Sequence, residues 1–564
     1  MSKAPKHVYF SFYPWHAPCY KKGIDFWQTG EGEMVKQYKS FTSFTRRDFL
    51  HRAAAVGGTG LLLNAMNAWG MGIASTASEP PALSGSGKGK KVLILGAGLA
   101  GMTAAYELEK LGYKVQILEA RSFAGGRCQT ARKGFSLTEL GGEKQSCAFD
   151  DGHYLNHGPW RIPLHHQSTL HYTRLFEVPL EVMVNDNDHA YVYSENAGPF
   201  AGKRVRVQEI KADMRGHVSE LLAKSVKNKQ LDQQLTEDDQ RLLLDYLVHE
   251  GALSSSDLRY KGRSGRGFSV NPGAGLSPGP GTPSDPLGLQ DLLASKLGHV
   301  YSAVQDFPMQ NTMFQPVGGM DAIAKAFEKR VGKNIRYKAE VQTLRQNDKG
   351  VTVTYKDTAT GKLGTISADY CLCAMPLSVL RQIDTDFSDK FKQAVATVAY
   401  APVGKIGLQM KRRFWEEDDH IYGGHIMTDL HGINTISVPS YGYQKKKGVL
   451  LGYYQYQTAA IEISALSPAE RAQFALAAGQ KIFPQYTENF ETAFSVAWHR
   501  VQYNLGGWAE WTDKTRAASY PLLLEGEGRV LLAGEHLSYL GGWQAGAIES
   551  AWQQLAKLHE RASA

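Results

Sequence analysis

Three glycines near the start of the chain constrain its fold more than any other feature. Gly96, Gly98 and Gly101 follow the apolar run 92–95, which is typical of a buried parallel strand. The first glycine permits a tight turn, the second lets a diphosphate approach the backbone, and the third lets the next helix pack closely on the strand. The residues after the second glycine begin a helical pattern over 99–111, whose N-terminus would face the phosphates. The spacing therefore predicts a Rossmann-like unit that binds a dinucleotide.

A second strand and an acidic residue follow at the distance that such a unit requires. The pattern predicts a strand over 113–118, and Glu119 stands at its end, where a carboxylate can accept hydrogen bonds from ribose hydroxyls. A Gly-Gly-Arg turn comes next, and its Arg127 can donate to the diphosphate. The predicted cofactor contacts in this part of the chain are Gly96, Gly98, Leu99, Ala100, Gly101, Glu119, Ala120, Arg121, Gly126 and Arg127.

The end of the chain complements this beginning. Residues 529–535 read Arg-Val-Leu-Leu-Ala-Gly-Glu, residues 541–546 read Gly-Gly-Trp-Gln-Ala-Gly, and a helical pattern covers 544–561. This segment is similar to the part of a flavoenzyme that holds the ribityl chain and closes over the flavin ring. A chain with both segments is predicted to bind FAD and not a nicotinamide nucleotide. The expected contacts here are Gly534, Glu535, Gly542, Trp543 and Ala545, with Val341 added from an internal strand.

Composition excludes several classes of protein. A length of 564 residues suggests about two to four domains, because it exceeds what one compact core accommodates. No apolar run reaches the roughly 18 residues of a membrane span, so no stable span is predicted. Residues 1–77 carry +5 of the net charge of +8, which leaves little basic surplus for nucleic-acid binding. The five cysteines show no metal-binding spacing, and no metal is predicted.

The first 77 residues have the form of a twin-arginine export signal. Arg46 and Arg47 are followed by Phe49-Leu50 and by a moderately apolar stretch over 53–65 that is too short to span a membrane. This pattern predicts a periplasmic or secreted protein, exported in the folded state with its cofactor bound. A Ser-, Gly- and Pro-rich linker over 78–90 comes next.

The order of the predicted elements indicates a mixed α/β (α+β) fold with a split Rossmann-like FAD-binding domain. That domain is assigned to residues 91–150, 306–400 and 520–564. Residues 151–200 and 401–519 are assigned to a β-rich substrate-binding domain, and residues 201–305 to a helical insertion. The clearest elements inside these regions are helices over 237–250 and 288–302 and strands over 334–344, 350–357 and 365–373.

The motif Asn-His-Gly-Pro-Trp-Arg-Ile-Pro over 156–163 carries a family resemblance. With the two FAD segments, it resembles the flavin amine oxidase superfamily, and most closely its L-amino acid oxidases, over residues 88–564. The resemblance implies that Arg161 pairs with the substrate α-carboxylate, which suits a planar guanidinium that donates two parallel hydrogen bonds. Simple amine oxidases have no carboxylate to hold. Gly158, Pro159, Trp160 and Arg161 itself are also expected to lie against the cofactor.

Further site residues are implied by the same resemblance. Lys405, ahead of a Phe-Trp pair, is similar to the family lysine that holds a water at flavin N5. Tyr453 ends the run Val-Leu-Leu-Gly-Tyr and is similar to the tyrosine that joins the arginine at the carboxylate. The carbonyl of Gly542 would accept from the substrate amino group, and Trp543 would form a wall of the pocket.

Two departures from the family pattern carry expectations of their own. Trp508 and Ala509 stand where monoamine oxidases have the cysteine that bonds the flavin and then a tyrosine, which implies that FAD is bound non-covalently and that the two-tyrosine cage is absent. Gln455 stands where some relatives have an aliphatic residue, and it would give the pocket a polar wall.

The resemblance implies an FAD-dependent oxidase that converts L-α-amino acids and O₂ to α-keto acid, ammonia and hydrogen peroxide, in a dimer. Three alternatives stay open: an amine or polyamine oxidase, an amino acid monooxygenase, and a flavin-bearing protein without catalytic activity. Five histidines near Arg161 allow a metal site, but their irregular spacing does not favour one: His153, His157, His165, His166 and His171.

Overall fold

A five-stranded parallel sheet forms the centre of the first core. The computed structural model of the protein describes residues 77–231, 233–262, 264–302, 309 and 312–563. The strands of this sheet, in spatial order, are Ile335–Arg336, Lys114–Leu118, Lys91–Leu95, Tyr370–Cys373 and Val530–Leu532. Helix Leu99–Lys110 connects the first two strands of the chain, so the predicted strand–helix–strand unit is confirmed to within a residue at each boundary.

Successive side chains of the strand Lys91–Leu95 pack on opposite faces of this sheet. Val92 and Ile94 pack with the helices Leu99–Lys110, Asp321–Val331 and Gln544–Ser563, whereas Leu93 and Leu95 pack on the opposite side. All four side chains are buried. A strand covered on both faces has no need of polar residues, which explains why the sequence reads as a continuous apolar run.

The opposite face is covered by a four-stranded sheet and by the helices Leu377–Leu380, Asp389–Thr397 and Asp513–Glu525. Its strand order is Leu363–Ala368, Gly350–Asp357, Ala339–Asn347 and Asp384–Thr385. The prediction of one strand over 365–373 is wrong. Asp369 separates two strands of different sheets, because its backbone N–H donates to the Lys91 carbonyl and its carboxylate accepts from the Lys91 N–H, which turns the chain. The strand expected over 334–344 is likewise divided, into Ile335–Arg336 and Ala339–Asn347.

A seven-stranded sheet forms the second core. Its strand order is Phe490–Ala497, Val403–Met410, Gly448–Tyr456, Ile433–Val438, Gly424–Leu430, Tyr191–Tyr193 and Arg204–Arg206. Neighbouring strands are antiparallel except for Gly424–Leu430 and Tyr191–Tyr193. Helix Pro468–Ile482 contributes to the core on one face. Four two-stranded sheets complete the strands: Leu180–Val184 with Thr312–Pro316, Ala399–Tyr400 with Ala509–Glu510, Ser136–Thr138 with Lys144–Ser146, and Phe268–Val270 with Thr282–Pro283.

The region 201–305, expected to be helical, contains four α-helices and also the short strands Arg204–Arg206, Phe268–Val270 and Thr282–Pro283 among its described residues. Helix Glu237–Glu250 begins at Thr236, whose hydroxyl accepts from the Asp239 N–H in a capping box, and it matches the predicted range. The helix predicted over 288–302 is two short helices, because Lys296 adopts a left-handed conformation between them. The helices of the described residues are Leu99–Lys110, Gln167–Leu175, Val207–Lys227, Glu237–Glu250, Leu289–Ser295, Leu297–Ser302, Asp321–Val331, Leu377–Leu380, Asp389–Thr397, Phe414–Glu417, Gln457–Ser464, Pro468–Ile482, Asp513–Glu525 and Gln544–Ser563.

The predicted export signal lies outside the described residues, apart from its last residue. Within the part of the chain that the structure does describe, no helix combines the length and the apolar character needed to cross a membrane. The domain boundaries given above stay predictions.

Candidate active site

A cavity of about 470 Å³ opens at the carboxyl ends of the parallel strands. Gly96, Glu119, Ala374 and Gly534 each follow one of these strands and line it. Ligands of open α/β sheets bind at this edge, because the loops and helix N-termini that can hold them begin there. The side chains of the Val403–Met410 and Gly448–Tyr456 strands close the other end.

The glycine loop combines open space with close packing. A Cβ on Gly98 would have no neighbour nearer than the Gly126 Cα at 4.0 Å, so this backbone stays accessible from the cavity. A Cβ on Gly101 would lie 2.1 Å from the Gly96 carbonyl oxygen. Gly101 is therefore a packing residue and does not line the cavity, which corrects its assignment as a cofactor contact. Gly96 has φ +102°, which only glycine adopts readily.

Glu119 is held rigidly at the end of the second strand. Its Oε2 accepts from the Ala97 N–H at 2.9 Å, and its Oε1 accepts from the Arg121 N–H at 3.0 Å. The carboxylate is buried at 5 % exposure. Because each carboxylate oxygen has two lone pairs, both retain capacity to accept from ribose hydroxyls. Ala120 and Arg121 line the cavity beside it.

The two ends of the chain meet at Arg127 and Glu535. Arg127 donates from Nη1 to Glu535 Oε1 at 2.9 Å and to the Gly507 carbonyl at 2.7 Å. Glu535 also accepts from the backbone N–H groups of Ala509 and Gly542, each at 3.2 Å. The carboxylate thus fixes the loop that carries Gly542 relative to the first glycine loop.

Lys405 lies at the closed end of the cavity as a buried amine. Its Nζ donates to the carbonyl oxygens of Asn156, at 3.3 Å, and Gly158. It also lies over the Tyr454 ring at 4.2 Å and the Trp160 ring at 5.2 Å. Burial, together with the positive charge of Arg161, holds the pKa of Lys405 well below its usual range. A neutral amine that donates to two carbonyls keeps its lone pair available as an acceptor.

Tyr454, and not Tyr453, faces this end of the cavity. A β-bulge pairs Ile406 with Tyr453 but Gly407 with Leu451, so Gly452 is an extra residue in its strand. One extra residue reverses the side-chain alternation that follows it. Tyr453 is therefore buried in the core beneath the sheet, and the expectation that it joins Arg161 is wrong.

The same bulge decides where Gln455 points. The Gln455 amide lies 3.3 Å from a Cβ built on Gly432, on the side of the sheet away from the cavity. The polar wall expected from Gln455 is therefore not part of the cavity lining, and aromatic rings take its place. The ring of Tyr454 lies 4.5 Å from that of Tyr456, tilted by 37°, and the Tyr456 ring lies 5.7 Å from the ring of Trp508.

Arg161 lies just behind this aromatic wall. It is absent from the cavity lining, but its charge acts on Lys405 and on Tyr454, which both line it. Its Nη1 is 3.2 Å from Nε2 of His425, and its Nη2 is 2.8 Å from the sulfur of Met309. Within the described part of the chain, no carboxylate acts on this guanidinium, and burial lowers its pKa.

Most predicted site residues line one cavity. These are Gly96, Gly98, Leu99, Ala100, Glu119, Ala120, Arg121, Gly126, Arg127, Gly158, Pro159, Val341, Lys405, Gly534, Glu535, Gly542 and Trp543. Those that do not line it are Gly101, Trp160, Arg161, Tyr453 and Ala545. Ala545 is buried in the first turn of the helix Gln544–Ser563, and Gln544 and Ala547 of the same turn line the cavity instead.

Several lining residues were missed by the sequence reasoning. Ala374, Met375 and Pro376 follow the parallel strand Tyr370–Cys373, and their position after a buried apolar strand was a usable signal. The loop over 502–505 also lines the cavity, with positive φ angles at Tyr503 and Leu505. No residue type in that loop announces its role.

Two of the histidines near Arg161 pack against tryptophan rings. His157 stacks on Trp498 at 5.6 Å, and His166 meets the Trp543 ring edge-on at 4.9 Å. Burial lowers the pKa of both imidazoles to about 3. Among the described residues, no three His, Cys, Asp or Glu side chains are grouped to hold a metal ion.

The residues of the cavity fit FAD. The accessible backbone at Gly98, the acceptor at Glu119 and the donor at Arg127 suit a diphosphate and a ribose, and the far end offers aromatic walls and the buried amine of Lys405. The lining brings together the glycine loop near the start of the chain and the Gly534–Gln544 region near its end.

Comparisons with known proteins agree with this geometry. "Putative L-amino-acid oxidase YobN" of Bacillus subtilis (strain 168) is 28% identical over 485 residues, which cover 83% of this chain and 94% of that protein. The L-amino-acid oxidase of Sistrurus catenatus edwardsii is 27% identical over 83% of this chain and 86% of its own length.

Solved structures show the same fold at lower identity. Cyclohexylamine oxidase from Brevibacterium oxydans IH-35A superposes with a TM-score of 0.56 at 15% identity, over 84% of this chain and 100% of that one. Putrescine oxidase with bound putrescine superposes with a TM-score of 0.55 at 17% identity, over 84% of this chain and 99% of that one. The model of the flavin-containing amine oxidoreductases matches residues 99–554. The chain belongs to this family of FAD-dependent oxidoreductases.

Proposed function

We propose that this protein is an L-amino acid oxidase: it converts an L-α-amino acid, O₂ and water to an α-keto acid, ammonia and hydrogen peroxide. The observation that carries the proposal is Arg161, a partly buried guanidinium beside the cavity, with no carboxylate partner among the described residues. Removing a guanidinium from water without a counter-ion is costly, and a substrate carboxylate would supply one.

The surroundings of Arg161 support a carboxylate ligand. Its Nη2 meets the thioether sulfur of Met309, which is a weak acceptor that a carboxylate would replace with a stronger bond. Tyr454 lies between this guanidinium and Lys405 and presents its ring to the cavity. We infer that Tyr454 takes the role that the sequence assigned to Tyr453.

The chain's own residues orient the substrate and exclude water. With its carboxylate on Arg161, the substrate amino group would face the Gly542 carbonyl, and Trp543 and Trp508 would confine it. The neutral Lys405 amine would accept a hydrogen bond from a water and place it at the reacting carbon for hydrolysis of the imino acid. FAD held by the cavity residues would supply the two-electron redox chemistry, with O₂ as the oxidant. We propose that these contacts hold FAD without a covalent bond. Trp508 stands at the position where monoamine oxidases have the cysteine that bonds the flavin.

Flavin reduction by substrate tests the proposal directly. The purified holoenzyme is mixed without oxygen with a panel of L-amino acids and with the amines that their decarboxylation gives. We expect the yellow absorbance to be lost rapidly with L-amino acids and only slowly with the amines, and one hydrogen peroxide and one ammonia to form per amino acid in air. Loss of colour with amines alone would indicate an amine or polyamine oxidase. Release of CO₂ and an amide would indicate a monooxygenase, and no loss of colour a non-catalytic protein.

Two properties of the whole protein are proposed on narrower grounds. The motif around Arg46-Arg47 supports export by the twin-arginine route. Replacing both arginines by lysine should leave the protein in the cytoplasm, as cell fractionation would detect. We also propose a homodimer, which sedimentation of the purified protein tests, since a monomer would contradict it.

A further inference from the structure

We propose that His425 is a positioning residue for Arg161, which it holds through a fixed, neutral tautomer, so that the guanidinium can bind the substrate carboxylate. This inference rests on the function proposed above and adds a residue that the sequence patterns did not single out. His425 is on the strand Gly424–Leu430 of the seven-stranded sheet. Its Nε2 lies 3.2 Å from Arg161 Nη1, and its Nδ1 lies 2.6 Å from the Ser437 hydroxyl.

The chemistry of the two partners determines the tautomer. A guanidinium can only donate hydrogen bonds, so Nε2 of His425 must accept from Arg161 and cannot carry a proton. The proton is then on Nδ1, which donates to the oxygen of Ser437. Burial and the charge of Arg161 lower the pKa of His425 to about 3, in agreement with an imidazole that stays neutral. The Asn185 amide oxygen Oδ1 lies 3.2 Å from Nε2 and cannot donate to it, so this tautomer requires the Asn185 amide to be flipped, with its N–H₂ group toward Nε2.

The residues that contact the His425 ring, Ser437 and Asn185, are buried and fixed in position. Ser437 is the residue directly opposite His425 on the neighbouring strand Ile433–Val438, and it also pairs with Leu451 on the strand beyond. Ser437 and Asn185 are buried, at 1 % and 4 % exposure. The backbone of His425 is fixed by the sheet, and its ring is fixed by the buried hydroxyl of Ser437. A ring held in this way can orient the guanidinium of Arg161.

Arg161 depends on this contact because its other described contacts are weak. The sulfur of Met309 is a poor acceptor, and Tyr454 and Tyr456 act on the guanidinium only through the electrostatics of their phenol groups. His425 is the stronger acceptor among these four neighbours. If it is lost, the guanidinium is free to rotate away from the orientation in which two parallel N–H groups meet a carboxylate.

Two variants of similar size separate the contact to Arg161 from the contact to Ser437. A glutamine places its amide oxygen close to the position of Nε2, so H425Q keeps an acceptor for Arg161. An asparagine reaches only as far as Nδ1, so H425N keeps the contact with Ser437 and loses the one with Arg161. The probe is benzoate, a planar carboxylate without an amino group, titrated into the holoenzyme while the flavin absorbance is recorded.

We expect H425N to weaken benzoate binding about tenfold and H425Q to weaken it less than about threefold, in line with the loss of one charge-assisted hydrogen bond that aims the guanidinium. The KM for L-amino acids should rise in the same ratio, with the flavin spectrum and the reduction by decarboxylated amines unchanged. A value for H425N equal to wild type, or equal losses in both variants, would overturn the proposal.

A second pair of variants covers the case in which H425N does not fold. S437A removes the oxygen that anchors Nδ1, and S437T keeps it, so only S437A should weaken benzoate binding. Equal benzoate affinities in S437A and S437T would contradict the role of the anchor. An R161M control separates this inference from the proposed function. If benzoate binds R161M as tightly as wild type, the carboxylate site itself is wrong, and the role of His425 is excluded with it.

Discussion

Arg127 and Glu535 lie 408 positions apart in the chain and form an ion pair, with Nη1 2.9 Å from Oε1. The same carboxylate accepts from the backbone of Ala509 and Gly542. One buried side chain therefore ties the glycine turn of the first nucleotide unit to the loop that closes the flavin end of the cavity. This contact joins two segments that lie far apart in the sequence.

Replacing Glu535 by glutamine should destabilise the protein by about 1–2 kcal/mol, because it removes the counter-charge of Arg127, whose side chain is only 23% exposed. The free energy of unfolding in denaturant measures this, and the FAD content of the purified variant should also fall. The matched control is E525Q, which alters the largely exposed pairs of Glu525 with Lys557 and Arg561. Equal losses in the two variants would contradict the structural role of Glu535.

Two glycines of the first loop should respond differently to alanine. Gly98 has ordinary extended angles, φ −78° and ψ −179°, and free space at its Cβ position, so G98A should fold normally and lose FAD affinity. G101A should unfold more easily by about 1–3 kcal/mol, because its Cβ would collide with the Gly96 carbonyl. The thermal midpoint of the FAD-free protein and a fluorescence titration with FAD distinguish the two. A G98A protein that binds FAD like wild type would show that the diphosphate lies elsewhere.

The two neighbouring tyrosines give a test of the bulge at Gly452. Y454F should raise the KM for L-amino acids about tenfold, because it removes a hydroxyl beside the carboxylate site. Y453F should leave the KM unchanged, since Tyr453 belongs to the core on the other side of the sheet. Steady-state peroxide production measures both. The reverse pattern would mean that the strand is paired in the other register.

His166 should make stability depend on acid. Its pKa is about 3 in the folded chain because of burial and then the charge of His165, against 6.5 when unfolded. Below pH 6.5 the unfolded chain therefore binds a proton that the folded chain does not, and stability falls as the pH falls. Between pH 7.5 and 5, the free energy of unfolding of wild type relative to H166Q should drop by about 2 kcal/mol.

The control for this pH dependence is His249, whose side chain is 80% exposed. The difference in unfolding free energy between wild type and H249Q should stay constant over the same range. If the difference for H166Q also stays constant, the imidazole of His166 is not shielded from water in the folded protein.

The parallel sheet and its glycine loop were predictable because their signals are local. An apolar run such as 92–95, a glycine spacing and a terminal acid each follow from backbone geometry within a few residues. The ion pair between Arg127 and Glu535 was not predicted as a contact, because nothing local links two positions so far apart. Only the chemistry of each segment indicated that they serve one ligand.

The errors arose where a single residue changes the geometry of a strand. Gly452 shifts the alternation by one position, so a pattern read with a strict period of two selects Tyr453 in place of Tyr454. Asp369 turns the chain between two sheets, yet it looks like an ordinary polar residue inside an apolar stretch. No local sequence pattern indicates His425, because its partners Arg161, Ser437 and Asn185 come from different parts of the chain.

The most direct test of the central claim is the rate of anaerobic flavin reduction in wild type and R161M, measured with an L-amino acid and with the amine that differs from it only by the missing carboxylate. We expect R161M to lower the rate of flavin reduction by the amino acid about a hundredfold, the equivalent of about 3 kcal/mol in activation free energy. The slow reduction by the amine should be unchanged. Equal effects of R161M on the two substrates, or none on either, would contradict the assignment of Arg161 as the carboxylate-binding residue.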